Sequence, residues 1–164
     1  MHRTLCSCYQ GTVGTSTEYN ISDWSGSTWK FSGFDVGATS WDFYHLLSSS
    51  TDNQCAILRE NANGTQVWTR LYNTTHQCAT LKVDANEAKA YFGNDGNVFT
   101  LGVVNCSDGV LDTYVKMNDA ALTVSQDNAG IAISPDSTKM ILSGDSNSSS
   151  NFGYTCNCDT GTFS

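Results

Sequence analysis

The chain has 164 residues, the length of one ordinary domain, and only 39% of them are hydrophobic while 15% are charged. Its formal net charge of −8 and pI near 4.5 argue against nucleic acid, which requires a basic surface, and against anionic membrane surfaces. No apolar run approaches the roughly 18 residues that a membrane-spanning helix needs. The composition therefore predicts a polar single-domain protein that does not bind nucleic acid and does not insert into a membrane.

The N-terminal half predicts strands joined by tight turns. Residues 5–20 have the pattern of a hairpin whose turn lies at Tyr9–Gly11. In the next segment, large aromatic residues alternate with small polar ones, a spacing that favours strands over helices. Asn63 and Gly64 both tolerate positive φ and predict a hairpin turn. The strands predicted after the first hairpin lie at residues 24–40, 41–47, 55–58 and 66–71.

The same order of strands and turns recurs in the C-terminal half. A second cycle of four strands is predicted at residues 78–83, 90–93, 98–106 and 110–117. A third cycle begins at residues 130–136, which match 78–84, and continues at 139–144 and 152–158. No helix is predicted, because the best candidate, residues 85–90, is too short to be stable.

One turn phrase marks the period of this repeat. The fullest copy is Val104–Leu111, in which a polar turn that ends at Gly109 joins two apolar strands. Relatives of the phrase contain Gly11, Gly64 and Gly161, so that successive glycines are 53, 45 and 52 residues apart. Self-similarity at such a fixed period is typical of repeat architectures.

Four short antiparallel strands per repeat resemble a blade of the quinoprotein-like and WD-repeat-like β-propellers. Residues 130–144 resemble the first two strands of a blade, and residues 56–68 resemble the last two. The resemblance implies an all-β fold of about three four-stranded antiparallel blades, as an open or partial propeller. The alternative is a single β-sandwich. The implied units are a half blade at 1–23, blades at about 24–73 and 74–119, and an incomplete blade at 120–164.

About three blades cannot close a ring, since propellers have at least four. Unpaired strand edges invite pairing with another chain, and a head-to-tail contact that does not close into a ring propagates as a filament. We therefore expect the chain to bind copies of itself.

Five Asn-X-Ser/Thr acceptors and seven cysteines point to an extracellular or cell-surface location. N-linked glycans are expected on the acceptors, which are Asn20, Asn63, Asn73, Asn105 and Asn147. Structural disulfides are favoured over a four-thiolate zinc site, because the Cys-X-Cys spacing is shorter than zinc sites use. Their pairing stays open, and an odd number leaves one thiol free or paired between chains. The candidates are Cys6, Cys8, Cys55, Cys78, Cys106, Cys156 and Cys158.

Catalysis has little support in the sequence. The histidines, His2, His45 and His76, are scattered, and no nucleophile elbow, zinc-protease motif or phosphate-binding loop occurs. We expect that the protein is not an enzyme and that it has no catalytic residue, no metal site and no cofactor. Weak calcium candidates are residues 84–87 and 94–97, although ordinary turns explain both better.

Two functions follow as hypotheses. The first is a structural, self-assembling extracellular glycoprotein that forms a head-to-tail filament or coat, stabilised by disulfides and N-glycans. The alternative is a carbohydrate- or protein-binding fragment of a larger surface propeller. A sugar-binding platform could be formed by the aromatic residues Trp24, Trp29, Trp41 and Tyr44, although packing between sheets is the commoner role of such residues.

Overall fold

The structure is a computed structural model that describes residues 2–7, 12–18, 29–49, 51, 53–74, 77–94, 100–116, 130–145 and 151–157. Thirteen strands occupy most of these ranges. They are β1 His2–Ser7, β2 Thr12–Glu18, β3 Trp29–Val36, β4 Phe43–Ser49, β5 Gln54–Glu60, β6 Gln66–Asn73, β7 Cys78–Val83, β8 Lys89–Asn94, β9 Thr100–Asn105, β10 Leu111–Lys116, β11 Gly130–Ile133, β12 Lys139–Asp145 and β13 Asn151–Asn157. For β1, β2 and β13 only the backbone is described.

The strands form antiparallel sheets in which each strand pairs with its neighbours in sequence. The first sheet has the order β3-β4-β5-β6, the second β7-β8-β9-β10 with β7 at one edge, and the third β11-β12-β13. A separate hairpin pairs β1 with β2. The first strands of the three sheets are neighbours, since β3 contacts β7 and β7 contacts β11. This succession of sheets is the arrangement of propeller blades.

The described part of the chain contains no helix, and none that could span a membrane. The all-β prediction is confirmed. Residues 85–88, the best helical candidate, form a turn between β7 and β8. The single β-sandwich is not the architecture found, because the described chain forms a series of separate sheets rather than two facing ones.

The main core lies between the first and second sheets. Residues that stand directly opposite each other on paired strands share a face, so the register assigns every side chain to one side of its sheet. From the first sheet, Tyr44, Leu46 and Ile57 point to the second sheet, and Phe92 and Val104 point back. A smaller cluster lies on the opposite face of the first sheet and contains Trp29, Leu47, Ala56 and Leu58.

The same turn joins the first two strands of all three sheets. In each turn a backbone N–H donates to the carbonyl five residues later. These bonds run from Gly37 to Asp42 at 2.8 Å, from Asp84 to Lys89 at 3.0 Å, and from Ser134 to Lys139 at 2.8 Å. The repeat recognised in the sequence is therefore a repeat of backbone geometry, which makes positions in different sheets comparable.

The hairpin between the third and fourth strands repeats as well. Gly64 lies in the β5–β6 turn with φ of 82°, and Gly109 lies before β10 with φ of 71°. Both values fall in the left-handed region that glycine adopts without steric penalty. The related glycines Gly11 and Gly161 lie outside the described residues.

Candidate functional site

The turn phrase of the second sheet is bound by side chains of the first sheet. The carbonyl of Cys106 accepts hydrogen bonds from Arg59 Nη1 at 2.7 Å and from the Trp68 indole Nε1 at 2.8 Å. The Tyr72 hydroxyl donates to the carbonyl of Gly109 at 2.7 Å. The phrase that marks the repeat in the sequence is thus the place where one sheet binds the next.

Arg59 is itself held by a partly buried carboxylate. Its Nε and Nη2 reach Asp42 Oδ2 at 2.8 Å and 2.6 Å, so the guanidinium is both paired and oriented. The same guanidinium lies 5.6 Å from the centroid of the Tyr44 ring, within the range of a cation–π contact. The Arg59 guanidinium thus contacts three groups: the Asp42 carboxylate, the Cys106 carbonyl and the Tyr44 ring. Because charge-assisted hydrogen bonds hold it in place, we interpret Arg59 as a structural residue of the interface and not as a catalytic one.

Two carboxylates connect the sheets near their first strands. Asp35 of β3 accepts from Lys82 Nζ at 2.9 Å and from the Val83 backbone N–H at 2.8 Å. Glu87, in the β7–β8 turn, accepts from the Thr39 backbone N–H, from the Thr39 hydroxyl at 2.6 Å and from the Ser40 N–H at 2.8 Å. Both carboxylates satisfy donors that belong to the neighbouring sheet.

The contact with Thr39 and Ser40 favours the ionised form of Glu87. Partial burial acts to raise its pKa, but the hydrogen bonds from Ser40 and Thr39 outweigh that effect and lower the pKa to about 2. Its backbone has φ of 55°, a left-handed conformation that is uncommon for a residue other than glycine. The turn therefore holds an ionised carboxylate against the adjacent sheet at neutral pH.

The face of the first sheet that points away from the second sheet is largely apolar. We call it the leading face. Its exposed members are 44% to 72% accessible and comprise Phe31, Phe34, Val67 and Leu71. Register places all four on this face, opposite or beside Leu47, His45, Glu60 and Ala56. Several large apolar side chains that share one face of a sheet are typical of an interaction surface.

A buried histidine–carboxylate pair lies on the leading face. His45 Nε2 is 2.9 Å from Glu60 Oε2, and both side chains are almost fully buried. The His45 ring stacks on Phe43 at 6.4 Å between centroids and meets Phe31 edge-on at 5.9 Å. His45, predicted only as a member of an aromatic strand, is therefore a packed and paired histidine.

The opposite outer surface belongs to the third sheet. We call it the trailing face, and we define it as the face of the third sheet that carries the exposed side chain of Ile141 on β12. Tyr44, Tyr91 and Ile141 each stand two residues after the closing residue of the shared turn. Tyr44 is 0% exposed and Tyr91 is 2% exposed, whereas Ile141 is 54% exposed. Ile141 therefore occupies a position that is covered in the other two sheets.

The predicted glycan acceptors differ in their settings. Asn63 is exposed in the β5–β6 turn, and Asn73 is exposed at the end of β6, where its Oδ1 accepts from Gln54 at 3.1 Å. Asn105 is half-buried: its Oδ1 accepts from Lys89 Nζ at 2.7 Å and its Nδ2 donates to the Val110 carbonyl. Because Asn105 is half-buried and both ends of its amide form hydrogen bonds, its setting is less open to a glycan than those of Asn63 and Asn73. Asn20 and Asn147 lie outside the described residues.

The described cysteines are free thiols. Cys55, Cys78 and Cys106 are buried in the core between the first two sheets and form no disulfide. The structure thus represents the reduced form at these three positions, and the disulfides expected from the sequence stay a prediction there. Cys6 and Cys156 lie on strands for which only the backbone is described, and Cys8 and Cys158 lie outside the described residues.

The other sequence candidates can be placed in part. Asp84 Oδ1 accepts from the backbone N–H groups of Ala88 and Lys89 at 2.8 Å and 3.2 Å, so its role is that of a turn residue. Within the described ranges no group of three or more metal-binding side chains is present. Trp29 and Tyr44 are buried, whereas Trp41 is exposed, so these three do not form a flat sugar-binding platform. Trp24, His76 and residues 95–97 lie outside the described ranges.

Comparisons with known proteins identify the fold. No protein-family profile matches the chain, and no curated protein matches its sequence. The β-propeller domain of the Trilobed protease from Pyrococcus furiosus, described as having an open velcro topology, is similar in structure with a TM-score of 0.52 at 13% identity. That match covers 82% of this chain and 42% of that chain.

Two further solved structures are similar. A protein of Bacteroides uniformis ATCC 8492, proposed to be a 6-phosphogluconolactonase, gives a TM-score of 0.60 at 13% identity over 98% of this chain and 48% of that chain. Protein lmo1340 of Listeria monocytogenes EGD-e gives 0.53 at 12% identity over 82% of this chain and 40% of that chain. The chain thus spans less than half the length of each of these structures.

Identities this low show the fold alone. The likeness to a known propeller domain and the series of antiparallel sheets together establish an all-β protein built of propeller-like blades in an open or partial propeller. The resemblance to propeller blades is confirmed at that level. The extracellular origin, the glycans and the absence of enzymatic activity stay predictions.

Sequence reasoning missed the residues that join the sheets. Nothing in the local pattern around Arg59, Trp68 or Glu87 distinguishes them from ordinary surface residues of strands and turns. Their roles depend on contacts between residues 38 to 48 positions apart in the chain. The usable signal was the repeat itself, because aligned repeats predict which turn of one sheet meets which strand of the next.

Proposed function

We propose that this protein is a structural subunit that associates with copies of itself in a head-to-tail manner, as an extracellular glycoprotein. The trailing face of one copy would pack on the leading face of the next, in the way that successive sheets pack within the chain. The observation that carries the proposal is the exposure of Ile141 at a position where Tyr44 and Tyr91 are buried by their surroundings.

The leading face offers a surface of matching chemistry. Its exposed apolar side chains, Phe31, Phe34, Val67 and Leu71, form a broad patch beside the buried His45–Glu60 pair. Burial of a large aliphatic or aromatic side chain contributes about 1.5–3 kcal/mol. Several such side chains together supply the driving force for a contact between copies, although association also costs translational and rotational freedom.

The geometry of such a contact determines the kind of assembly. The two faces are different surfaces, so the contact is heterologous, and each bound copy presents a new trailing face to the next. A heterologous contact gives a ring if the rotation closes and a filament if it does not. We infer a filament or coat, which is the outcome when the rotation between successive copies does not close.

A charge on the trailing face tests this proposal. Ile141→Asp would place a carboxylate in the apolar contact, and we expect the average mass in solution, measured by light scattering after size exclusion, to fall to that of the monomer. Thr113→Asp, on an exposed position of β10, is the matched control and should leave assembly unchanged. Assembly that persists equally in both variants would reject the trailing face as a contact surface.

The glycoprotein part of the proposal is supported by the exposure of Asn63 and Asn73. Treatment of the native protein with an amidase that removes N-linked glycans should increase its mobility on a gel. Asn63→Gln and Asn73→Gln should each remove one step of that shift, whereas Asn105→Gln should not. Native protein with no shift would reject glycosylation without affecting the assembly proposal.

A further inference from the structure

Two buried cysteines from different sheets belong to the same core cluster. Cys55 is near the start of β5 in the first sheet, and Cys78 is the first residue of β7 in the second sheet. Both side chains point into the core between these sheets. Burial raises the pKa of Cys55, and the neighbouring Cys78 thiol raises it further.

Ser48 of β4 fixes the position of both residues. It stands directly opposite Cys55 in the β4–β5 ladder. Its Oγ accepts a hydrogen bond of 2.9 Å from the backbone N–H of Cys78. Ser48 therefore pairs with Cys55 within the first sheet and binds the backbone of Cys78 in the second sheet. The packing of the two sheets thus brings the two cysteines close together.

We propose that Cys55 and Cys78 form a disulfide bond that joins the first and second sheets when the protein folds in an oxidising compartment. The inference is independent of self-association, since both residues belong to one chain and lie away from the leading and trailing faces. It assigns one pairing among the cysteines whose connectivity the sequence left open.

The third described cysteine has a different neighbour. The thiol of Cys106 belongs to the same core, and the group beside it is Tyr44 rather than another cysteine. Burial raises the pKa of Cys106 to about 11, which further disfavours the reactive thiolate. Cys106 is thus a natural internal control, buried to a similar degree and without a cysteine beside it.

The reaction requires a disulfide oxidant such as oxidised glutathione. The thiolate of one cysteine attacks a glutathione sulfur, the glutathione disulfide breaks, and one glutathione leaves as a thiol. The second cysteine then attacks the mixed disulfide and releases the other glutathione. The two cysteines lose two protons and two electrons, and one glutathione disulfide becomes two glutathione thiols.

Burial determines when this exchange occurs. Cys55 is 0% exposed, and desolvation together with the neighbouring Cys78 thiol raises its pKa well above the usual range. In the packed protein, attack on an external disulfide is therefore slow. We expect the bond to form during folding, before the two sheets close over the thiols, and to resist reduction afterwards.

Peptide mapping tests the pairing directly. The full chain is refolded from urea with oxidised glutathione, its remaining thiols are alkylated, and it is digested with trypsin without reduction. Cleavage after Lys30, Arg59, Arg70 and Lys82 places Cys55 and Cys78 alone in the peptides 31–59 and 71–82. The expected product is these two peptides joined and lighter by two hydrogens. Alkylation of both cysteines, or pairing of either with a different thiol, would overturn the proposal.

Thermal unfolding gives a second readout. The oxidised protein should unfold about 5–10 °C above the protein refolded with a reductant, because the cross-link restricts the unfolded chain. Cys55→Ala and Cys78→Ala should each abolish this difference, and Cys106→Ala should keep it. A difference that survives in Cys55→Ala would mean that another disulfide causes it.

Discussion

The indole Nε1 of Trp68, in the last strand of the first sheet, donates a hydrogen bond of 2.8 Å to the carbonyl of Cys106 in the β9–β10 turn of the second sheet. Arg59 donates to the same oxygen from the neighbouring strand β5. Two side chains of one sheet thus satisfy one backbone acceptor of the next. The order of the sheets is therefore fixed by polar contacts of defined direction as well as by apolar burial.

Replacement of Trp68 by Phe should weaken this contact without abolishing it. The variant keeps an aromatic ring in the core but loses the N–H donor, and the Cys106 carbonyl keeps its bond from Arg59. We expect a loss of about 1–2 kcal/mol in the free energy of unfolding, measured in urea. Trp41→Phe is the matched control, since Trp41 is 67% exposed and should change stability little. Equal losses in both variants would contradict the assigned role of the Trp68 donor.

Glu87→Gln should make stability less dependent on acid pH. The pKa of Glu87 is lowered from 4.5 to about 2 in the folded protein, so its ionised form contributes stability above about pH 4.5. That contribution is lost as the pH falls from 4.5 through 2. Wild type should therefore exceed Glu87→Gln in urea midpoint at pH 7, and the difference should shrink toward pH 2.

The control for Glu87 is a carboxylate on the surface. Asp112 pairs with Lys89 at 2.8 Å and is half exposed, so Asp112→Asn should change stability by no more than about 1 kcal/mol. If Glu87→Gln and Asp112→Asn gave the same pH profile, the contact between Glu87 and the Thr39–Ser40 turn would have no special role.

Gly109→Ala should cost more stability than Gly64→Ala. Both glycines have positive φ, so an added methyl group is strained at either position, by about 1–2 kcal/mol. At Gly109 the new Cβ would also lie 2.7 Å from atoms of Arg70 and Trp68. Gly64, in contrast, is in a partly exposed turn. Urea unfolding should show a larger loss in the free energy of unfolding for Gly109→Ala, which adds crowding to backbone strain, than for Gly64→Ala, which adds strain alone. A smaller loss for Gly109→Ala would contradict the packing of its turn against the first sheet.

Gly102 provides a test of core packing inside the second sheet. A Cβ at this position would lie 2.1 Å from Cζ of Phe92, so Gly102→Ala forces the ring to move. We expect a loss of about 1–3 kcal/mol from overpacking. Phe92→Leu removes the ring, and the double variant should lose less than the sum of the two single losses. Additive losses would indicate that Gly102 and Phe92 do not compete for the same space.

The sequence predicted the strands and their order because these depend on local patterns. Alternating aromatic and small residues, Asn63-Gly64 and the recurring turn phrase each act over a few positions, and the repeat gave the number of strands per sheet. Residues 85–90 were correctly predicted to form no helix. The likeness to propeller structures confirms the architecture that these patterns implied.

The contacts between sheets could not be predicted, since they join residues far apart in the chain. The sequence around Glu87 predicts only a turn residue. Its carboxylate nevertheless accepts hydrogen bonds from Thr39 and Ser40, in the β3–β4 turn of the first sheet. Asn105 is a predicted glycan acceptor, yet its amide oxygen accepts from Lys89 and its amide nitrogen donates to the Val110 carbonyl. The nearness of Cys55 and Cys78 likewise depends on how β7 packs against β4, whose Ser48 pairs with Cys55 and binds the Cys78 backbone.

The most direct test of head-to-tail self-association is sedimentation velocity of the native protein across a wide concentration series. We predict that the weight-average sedimentation coefficient rises continuously with concentration and reaches no plateau at a defined oligomer. That behaviour is expected for a heterologous contact that does not close. A single species with the 17.7-kDa mass of one chain at every concentration would contradict the proposal.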